Sequence, residues 1–138
     1  MINEKQTPSV LTHLSLCSGY DGIGIALGRI FPGLRNLAHV EIETFPIANL
    51  VSSMEAGEMD PCPVFTDLKR FPFHEVAGKV SILSAGFPCQ PFSQAGLQKG
   101  VDDPRHLYPF IADGITACRP EVVFLENVEG IISSKTSD

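Results

Sequence analysis

The sequence predicts an α/β fold, a parallel sheet of about five strands joined by crossover helices. Three observations carry this reading. Short apolar runs of strand length recur along the chain, longer amphipathic stretches lie between them, and glycine- or proline-containing turns separate the two kinds. Strands that alternate with helices pair in parallel, because a parallel neighbour needs a crossover long enough to hold a helix. The 138 residues suit one domain with its own core, and 43% hydrophobic with 19% charged residues is the composition of a globular chain.

The elements follow in order. "HLSLC" (13–17) reads as a short buried strand and "SGYDGIG" (18–24) as a glycine-rich turn. "IGIALGRIF" (23–31) has helical spacing and stops at the Pro-Gly that follows. "LAHVEI" (37–42) is the second strand. "ETFPIANLVSSMEAG" (43–57) reads as a helix, with Thr44 as N-cap, Pro46 in the first turn where its missing N–H is tolerated, and Gly57 as the terminator. "CPVFTDL" (62–68) holds a third strand and "KVSILSAG" (79–86) a fourth. A loop rich in Pro, Gly and Gln runs to about residue 104. "HLYPFIADGITACR" (106–119) is helical despite Pro109, "EVVFLENV" (121–128) is the fifth strand, and "EGIISSKTSD" fades into polar residues. The expected organisation is a polar extension over 1–11, one domain over 12–132 and a polar tail over 133–138.

The net charge of −6 gives the chain no overall attraction to phosphate backbones. Arg29, Arg35, Lys69, Arg70, Lys99, Arg105 and Arg119 form no run. The chain therefore does not read as a stand-alone nucleic-acid module, although it suits one half of such a protein. No apolar run is long enough to span a bilayer, and "MINEKQTPSV" lacks an apolar leader core, so a cytosolic location is expected. Cys17, Cys62, Cys89 and Cys118 form no CxxC pair, and the histidines complete no zinc spacing. Neither a disulfide framework nor a metal is expected, and each thiol is a small core residue unless its position argues otherwise.

In an open parallel sheet the ligand sits beyond the carboxyl ends of the strands, near the switch in strand order. Those positions here are 18–24, Glu41, Asp67, 87–93, Glu126 and Asn127, polar or small at every strand end. The glycine loop has neither a GK[ST] tail nor GxGxxG spacing, and alone it suits a plain βα turn as well as a ligand loop. Glu41, some twenty residues on, can accept both hydroxyls of a ribose. Alone it reads better as a surface acid; with the glycine loop it points to a nucleoside. Asp67 can accept from an exocyclic amine, and in isolation it is a turn-former. Cys89 lies between Pro88 and Gln90, with Pro91 following, on a stiff segment at a strand end. A lone cysteine defaults to the core, but these neighbours make a poor core, and a thiolate there is a candidate nucleophile. Glu126 follows four apolar residues and is expected to be partly desolvated, its carboxyl pKa raised and suited to proton donation, unless it caps the next turn. Asn127 is placed to fix its geometry.

Together these motifs resemble one family. "LSLCSGYDGIG", "VEIE", "TDL", "GFPCQPFS", "GLQKGVDDPRHLYP" and "FLENV" occur in the order and spacing of the first half of a DNA (cytosine-5) methyltransferase, over about residues 12 to 132. The resemblance implies a Rossmann-like S-adenosylmethionine-dependent methyltransferase fold, truncated before its last strands. It implies S-adenosylmethionine as cofactor, held by Cys17, Ser18, Gly19 and Gly22, with Glu41 on the ribose, Ile42 as an apolar face for the adenine, Asp67 on its amine, and Leu68 and Pro88 completing the set. Cys89 would attack carbon 6 of cytosine, making carbon 5 nucleophilic toward the methyl group. Glu126 would hydrogen-bond or protonate ring nitrogen 3, and Asn127 and Pro88 would hold the geometry. Loss of the carbon-5 proton would then release Cys89.

The implied partner is DNA, its cytosine flipped out of the duplex, with Gln90, Ser93 and Arg105 contacting the flipped nucleotide or its phosphates. No membrane or metal is implied. Two positions depart from the family pattern: Asp21 stands where a first glycine precedes Gly22, and Ile42 replaces an aromatic residue. The family continues beyond "ENVEG" with an arginine-containing segment, a target-recognition domain and a final segment that packs beside the cofactor loop. Three readings follow: an enzyme of which this is a fragment, a half-enzyme that needs a second chain carrying the target-recognition half, or a cofactor-binding remnant. A cysteine hydrolase or redox thiol protein would need a histidine partner or a second nearby cysteine, which the spacing does not offer. A sheet ending at the fifth strand would have an unpaired edge and uncovered apolar surface, and so a tendency to self-associate.

Overall fold

The computed structural model describes residues 10–87 and 107–127. Strand β1 (Thr12–Leu16) pairs in parallel with β2 (Arg35–Val40) on one side and with β4 (Ile82–Ala85) on the other. Beyond β2 lies β3 (Val64–Phe65) and beyond β4 lies β5 (Val122–Leu125), giving the order β3-β2-β1-β4-β5 with every pair parallel. The chain runs outward from β1 to β3 and then returns to set β4 against β1. That return places the switch point between the carboxyl ends of β1 and β4, where an open sheet holds its ligand. Helices α1 (Gly22–Ile30), α2 (Thr44–Glu55) and α3 (Tyr108–Cys118) occupy connections between strands.

Side chains alternate along a strand, and the two faces of this sheet differ in chemistry. Leu14, Leu16, Ala38, Val40, Leu83 and Ala85 belong to one apolar cluster with Phe71, Ile111 and Cys118. Cys118 is buried there, its Sγ 3.7 Å from the Phe73 carbonyl oxygen, so this thiol is the small core residue expected by default. Phe65, Phe71 and Phe73 stack edge to face, with centroids 4.9 and 4.8 Å apart. Gly114 in α3 admits the Phe73 ring, with which a β-carbon would collide. The intervening strand residues His13, Ser15, His39 and Ser84 are buried too, and they are polar.

Several elements differ from the sequence reading for visible reasons. The third strand keeps two residues of the expected 62–68, because the Asp67 side chain accepts from the Lys69 N–H (2.9 Å) and turns the chain into a 3₁₀ turn over Leu68–Arg70. The fourth begins at Ile82 rather than 79, since Lys79 is taken into a turn by its N–H bond to the Val76 carbonyl (3.0 Å). The N-cap of α2 is Glu43, not Thr44, and it makes no side-chain cap bond. Pro46 does fall in the first turn, and Gly57 follows the helix at φ 73°, a left-handed conformation suited to glycine. Helix α1 forms as expected but buries only Gly24. No helix among the described residues is long and apolar enough to cross a membrane.

Among the described residues β5 has one strand neighbour, and all four of its residues are exposed, Val122 by 53% and Phe124 by 50%. Ile25, Ile30 and Phe31 are exposed as well. Two outcomes follow. Gly114→Val, which forces a branched side chain into the Phe73 ring, should lower stability by about 1–3 kcal/mol in denaturant unfolding; an unchanged midpoint would show that the contact is loose. The chain should also self-associate through its exposed apolar residues. Light scattering over a concentration series should show rising mass, and a monodisperse, cooperatively melting monomer would contradict it.

Candidate active site

The loop after β1 is held in an unusual backbone shape. Cys17, Gly19 and Asp21 all have left-handed φ values, 50°, 54° and 55°. Non-glycine residues in this region are uncommon and concentrate at functional sites. The shape is fixed largely by Glu41, just past β2. Its Oε2 accepts the Gly19 N–H (2.6 Å), and its Oε1 accepts the N–H groups of Ile42 and Glu43 (2.8 Å each). The Ser18 N–H donates to the Val40 carbonyl (3.0 Å) and the Asp21 N–H to the Ser18 carbonyl (2.8 Å). Glu41 is 7% exposed, so it is a buried acid. Three of its roughly four acceptor directions are taken, which leaves about one for a ligand hydroxyl.

Two adjoining cavities open beside this loop. The larger, about 670 Å³, is lined by Glu41, Ile42, Pro46, Asp67 and Leu68 among others, a size suited to a nucleoside-sized ligand. Ile42 is 73% exposed and presents an apolar face. Asp67 both closes its turn and forms part of the wall, with Oδ2 3.6 Å from Arg70 Nε. Lys69, on the same wall, lies over the Phe110 ring at 5.3 Å. The smaller cavity, about 410 Å³, is lined by Ser15, Ser18, Asp21, Gly22, Ser84 and Glu126 among others. Cys17, Gly19 and Gly86 border both.

Gly86 was not among the expected site residues, yet it is the junction of the two main strand ends. A β-carbon there would stand 3.3 Å from Glu126 Oε2 and 3.9 Å from the Cys17 carbonyl oxygen. Glycine keeps Glu126 close to the loop after β1. The Glu126 N–H donates to the Ala85 carbonyl (2.9 Å), holding it at the end of β4. Its side chain does not meet the expectation of desolvation: Glu126 is exposed. The apolar residues before it lie on β5, which has one strand neighbour among the described residues and is exposed. Asn127 Nδ2 donates to the Phe87 carbonyl (3.1 Å), tying the end of β5 to the segment that leads into Pro88. Pro88, Cys89, Gln90, Ser93 and Arg105 lie outside the described residues.

Beneath the smaller cavity is the buried polar layer. Ser15 donates its hydroxyl to Asp21 Oδ1 (2.9 Å). His13 is bracketed by Asn36 Oδ1 at its Nδ1 (3.2 Å) and by Ser84 Oγ at its Nε2 (2.8 Å), so Nδ1 carries the proton and Ser84 donates to Nε2. His39 Nδ1 lies 3.3 Å from Ser18 Oγ and 3.9 Å from Asp21 Oδ1. Ser18 donates to the Ser15 carbonyl (3.0 Å), which leaves His39 Nδ1 as donor. His39 Nε2 is buried with no hydrogen-bond partner among the described residues. A second proton there would find no acceptor, and burial, with His13 nearby, pushes His39 down to about 4. Burial pushes the Asp21 carboxyl up to about 6 against the hydrogen bonds from Ser15 and the Gly24 N–H. Burial first, and then the Glu41 charge, push the Cys17 thiol up to about 12, so it is an uncharged wall and not a nucleophile.

A parallel sheet of this order, with its switch point between β1 and β4, is a Rossmann-like fold. The solved S. pombe Dnmt2 methyltransferase shares it, with a TM-score of 0.65 at 24% identity, over 91% of this chain and 38% of that one. The family model for C-5 cytosine-specific DNA methylase matches residues 11–138, and the chain belongs to that family. It is 32% identical over 124 residues to the Type II methyltransferase M.NgoMIV of Neisseria gonorrhoeae, covering 90% of this chain and 38% of the relative. It is 36% identical over 121 residues to M.NlaX of Neisseria lactamica, covering 84% and 36%. The chain thus spans little more than a third of the length of these curated relatives.

The polar layer makes a prediction with opposing signs. Asp21 is raised from 3.8 to about 6, so its contribution to stability is full below about pH 4 and is lost as pH rises through about 6. His39 is lowered from 6.5 to about 4, so its contribution is full above pH 6.5 and is lost as pH falls toward about 4. Burial lowers His13 as well, in the sense of His39. The Asp21 slope therefore offsets the histidine slope through the same window. Asp21→Asn should leave the histidines unopposed, with stability rising by on the order of 2 kcal/mol across that window. Urea unfolding at a series of pH values checks this, and a variant curve parallel to wild type would refute it.

Proposed function

We propose that this chain is the cofactor-binding and nucleophile-bearing half of a DNA cytosine-5 methyltransferase, an enzyme that transfers a methyl group from S-adenosylmethionine to carbon 5 of cytosine. The observation that carries the reading is the pair of cavities meeting at Cys17, Gly19 and Gly86. They offer a nucleoside-sized space beside Glu41, Ile42, Asp67 and Leu68, continuous with an acidic space beside Asp21 and Glu126. This fits a ligand with an uncharged nucleoside at one end and a cationic centre near the other. The cofactor, when bound, supplies an electrophilic methyl group on a sulfonium.

The chain's own residues supply the rest. Cys89, as a thiolate, adds to carbon 6 of the ring, and the displaced π electrons make carbon 5 nucleophilic. Glu126 holds a proton at ring nitrogen 3, which draws those electrons, and its exposure leaves it open to a base brought from outside. Asn127 fixes the Phe87 carbonyl and with it the entry to Pro88 and Cys89. Loss of the carbon-5 proton then expels the Cys89 thiolate and restores the ring. The base reaches this site flipped out of the duplex, and Gln90, Ser93 and Arg105 are assigned to the flipped nucleotide or its phosphates. Most DNA contact falls to the rest of the protein, in the same chain or a second one carrying the target-recognition half, because a chain of net charge −6 does not hold phosphates. The naming of its relatives as Type II methyltransferases supports a place beside a restriction enzyme in a bacterial or phage-encoded cytoplasmic system.

The test is covalent trapping. The chain, alone and within a full-length relative-like protein, is incubated with S-adenosylmethionine and DNA carrying 5-fluorocytosine in many contexts. Fluorine at carbon 5 blocks elimination, so mass spectrometry should find an adduct at Cys89 that Cys89→Ala abolishes. An adduct with the chain alone shows that this half holds the chemistry and reaches DNA. An adduct only in the longer protein assigns DNA contact to the complement. None in either form overturns the reading.

A further inference from the structure

Asp21 stands where the family's loop carries a glycine, and it is not a surface change. It is 2% exposed, and its carboxylate lies against the first turn of α1, where a β-carbon on Gly24 would collide with it. The groups facing it come from each neighbouring element: Ser15 of β1, His39 of β2, the Gly24 N–H of α1, and Cys62 ahead of β3. Glu126, past β5, lines the same cavity. None of these is a cation at neutral pH. Burial holds His39 neutral, and burial with the charges of Asp60 and Asp21 pushes the Cys62 thiol up to about 12. A buried carboxylate normally has a cationic partner, because the cost of removing it from water is otherwise uncompensated. This one has only uncharged partners among the described residues, Ser15, the Gly24 N–H and His39, and it lines a cavity.

We infer that Asp21 is a specificity-determining residue, its carboxylate drawn to the sulfonium charge of the methyl donor and so favouring S-adenosylmethionine over its uncharged thioether product. The inference rests on the cofactor reading above. Donor and product differ only by one methyl group and that charge, so a fixed negative charge lining the cavity is a means to tell them apart. The low-dielectric setting that makes Asp21 costly alone also strengthens its attraction to a cation. The preference would help spent product leave. It would also depend on pH: donor affinity should fall as Asp21 is protonated below about pH 6, while product affinity should not.

The experiment is calorimetric titration of the 138-residue chain with S-adenosylmethionine and with S-adenosylhomocysteine, above and below pH 6, for wild type, Asp21→Asn and Asp21→Gly. Thermal melts confirm that each variant folds. Glycine adopts the left-handed backbone at this position readily, so Asp21→Gly keeps the test open should Asp21→Asn fail to fold. Both variants should lose about tenfold in donor affinity and change product affinity by less than about twofold, and the pH dependence of donor binding should vanish. Equal losses for both ligands, or an unchanged donor-to-product ratio, overturn the inference and leave the cofactor reading standing. A wild-type chain that binds neither ligand overturns both.

Discussion

Glu41 accepts three backbone N–H groups from two loops, Gly19 after β1 and Ile42 and Glu43 after β2. Parallel pairing sets Leu16 opposite Val40, which brings the two strand ends level, and the carboxylate continues that alignment where the ladder stops. Hydrogen bonds to a charged group stabilise by about 1.5–3 kcal/mol each, more than neutral ones. They hold Gly19 in its left-handed turn, and Gly19 borders both cavities. One acid therefore shapes the glycine loop after β1 and walls the larger cavity. With most of its acceptor directions satisfied, it works as a clamp between the two loops.

Pattern and composition are enough to read the alternation of strands and helices, the parallel sheet and the polar or small residues that gather at the strand ends. These depend on local periodicity and on a topological rule that needs no coordinates. What stayed hidden depends on tertiary placement. "HLSLC" reads as a buried strand and is one, but the partners of its polar residues cannot be read from the sequence. Here His13 and Ser15 are buried with His39 and Ser84, whose sequence neighbourhoods say nothing of each other. Glu126 shows the converse. Its apolar neighbours suggest burial, but all four residues of β5 are themselves exposed. Asp67 was legible as a turn-former, and it also forms part of the wall of the larger cavity. Gly86 was passed over because "SAG" reads as a strand ending; the close approach of Glu126 and the Cys17 carbonyl is a fact of three dimensions.

The buried polar layer explains how a loop with so little apolar anchoring stays in place. Only Gly24 of α1 is buried, so the helix following the loop is not held by a wide apolar stripe. The hydrogen bonds Ser15 to Asp21 and Ser18 to the Ser15 carbonyl, with His39 against Ser18, tie the loop to β1 and β2 instead. Polar anchors of this kind are directional. They fix the position of a backbone more closely than an apolar contact of equal strength, which suits a loop that presents N–H groups to a ligand.

The charges around the strand ends also bear on how one site can serve two unlike substrates. Asp21, Glu41, Asp67 and Glu126 line the cavities, with Lys69 as a cation on the wall. Such a field draws a cationic donor and repels phosphate. On the proposed reading the nucleotide therefore cannot enter as a stretch of backbone. The neutral base has to come in alone, with its phosphates held outside by groups elsewhere in the protein. Base flipping is then a requirement of the electrostatics as well as of access to carbon 5. On the same reading, the acidity that weighs against DNA binding by this chain alone is the property that would suit it to a sulfonium.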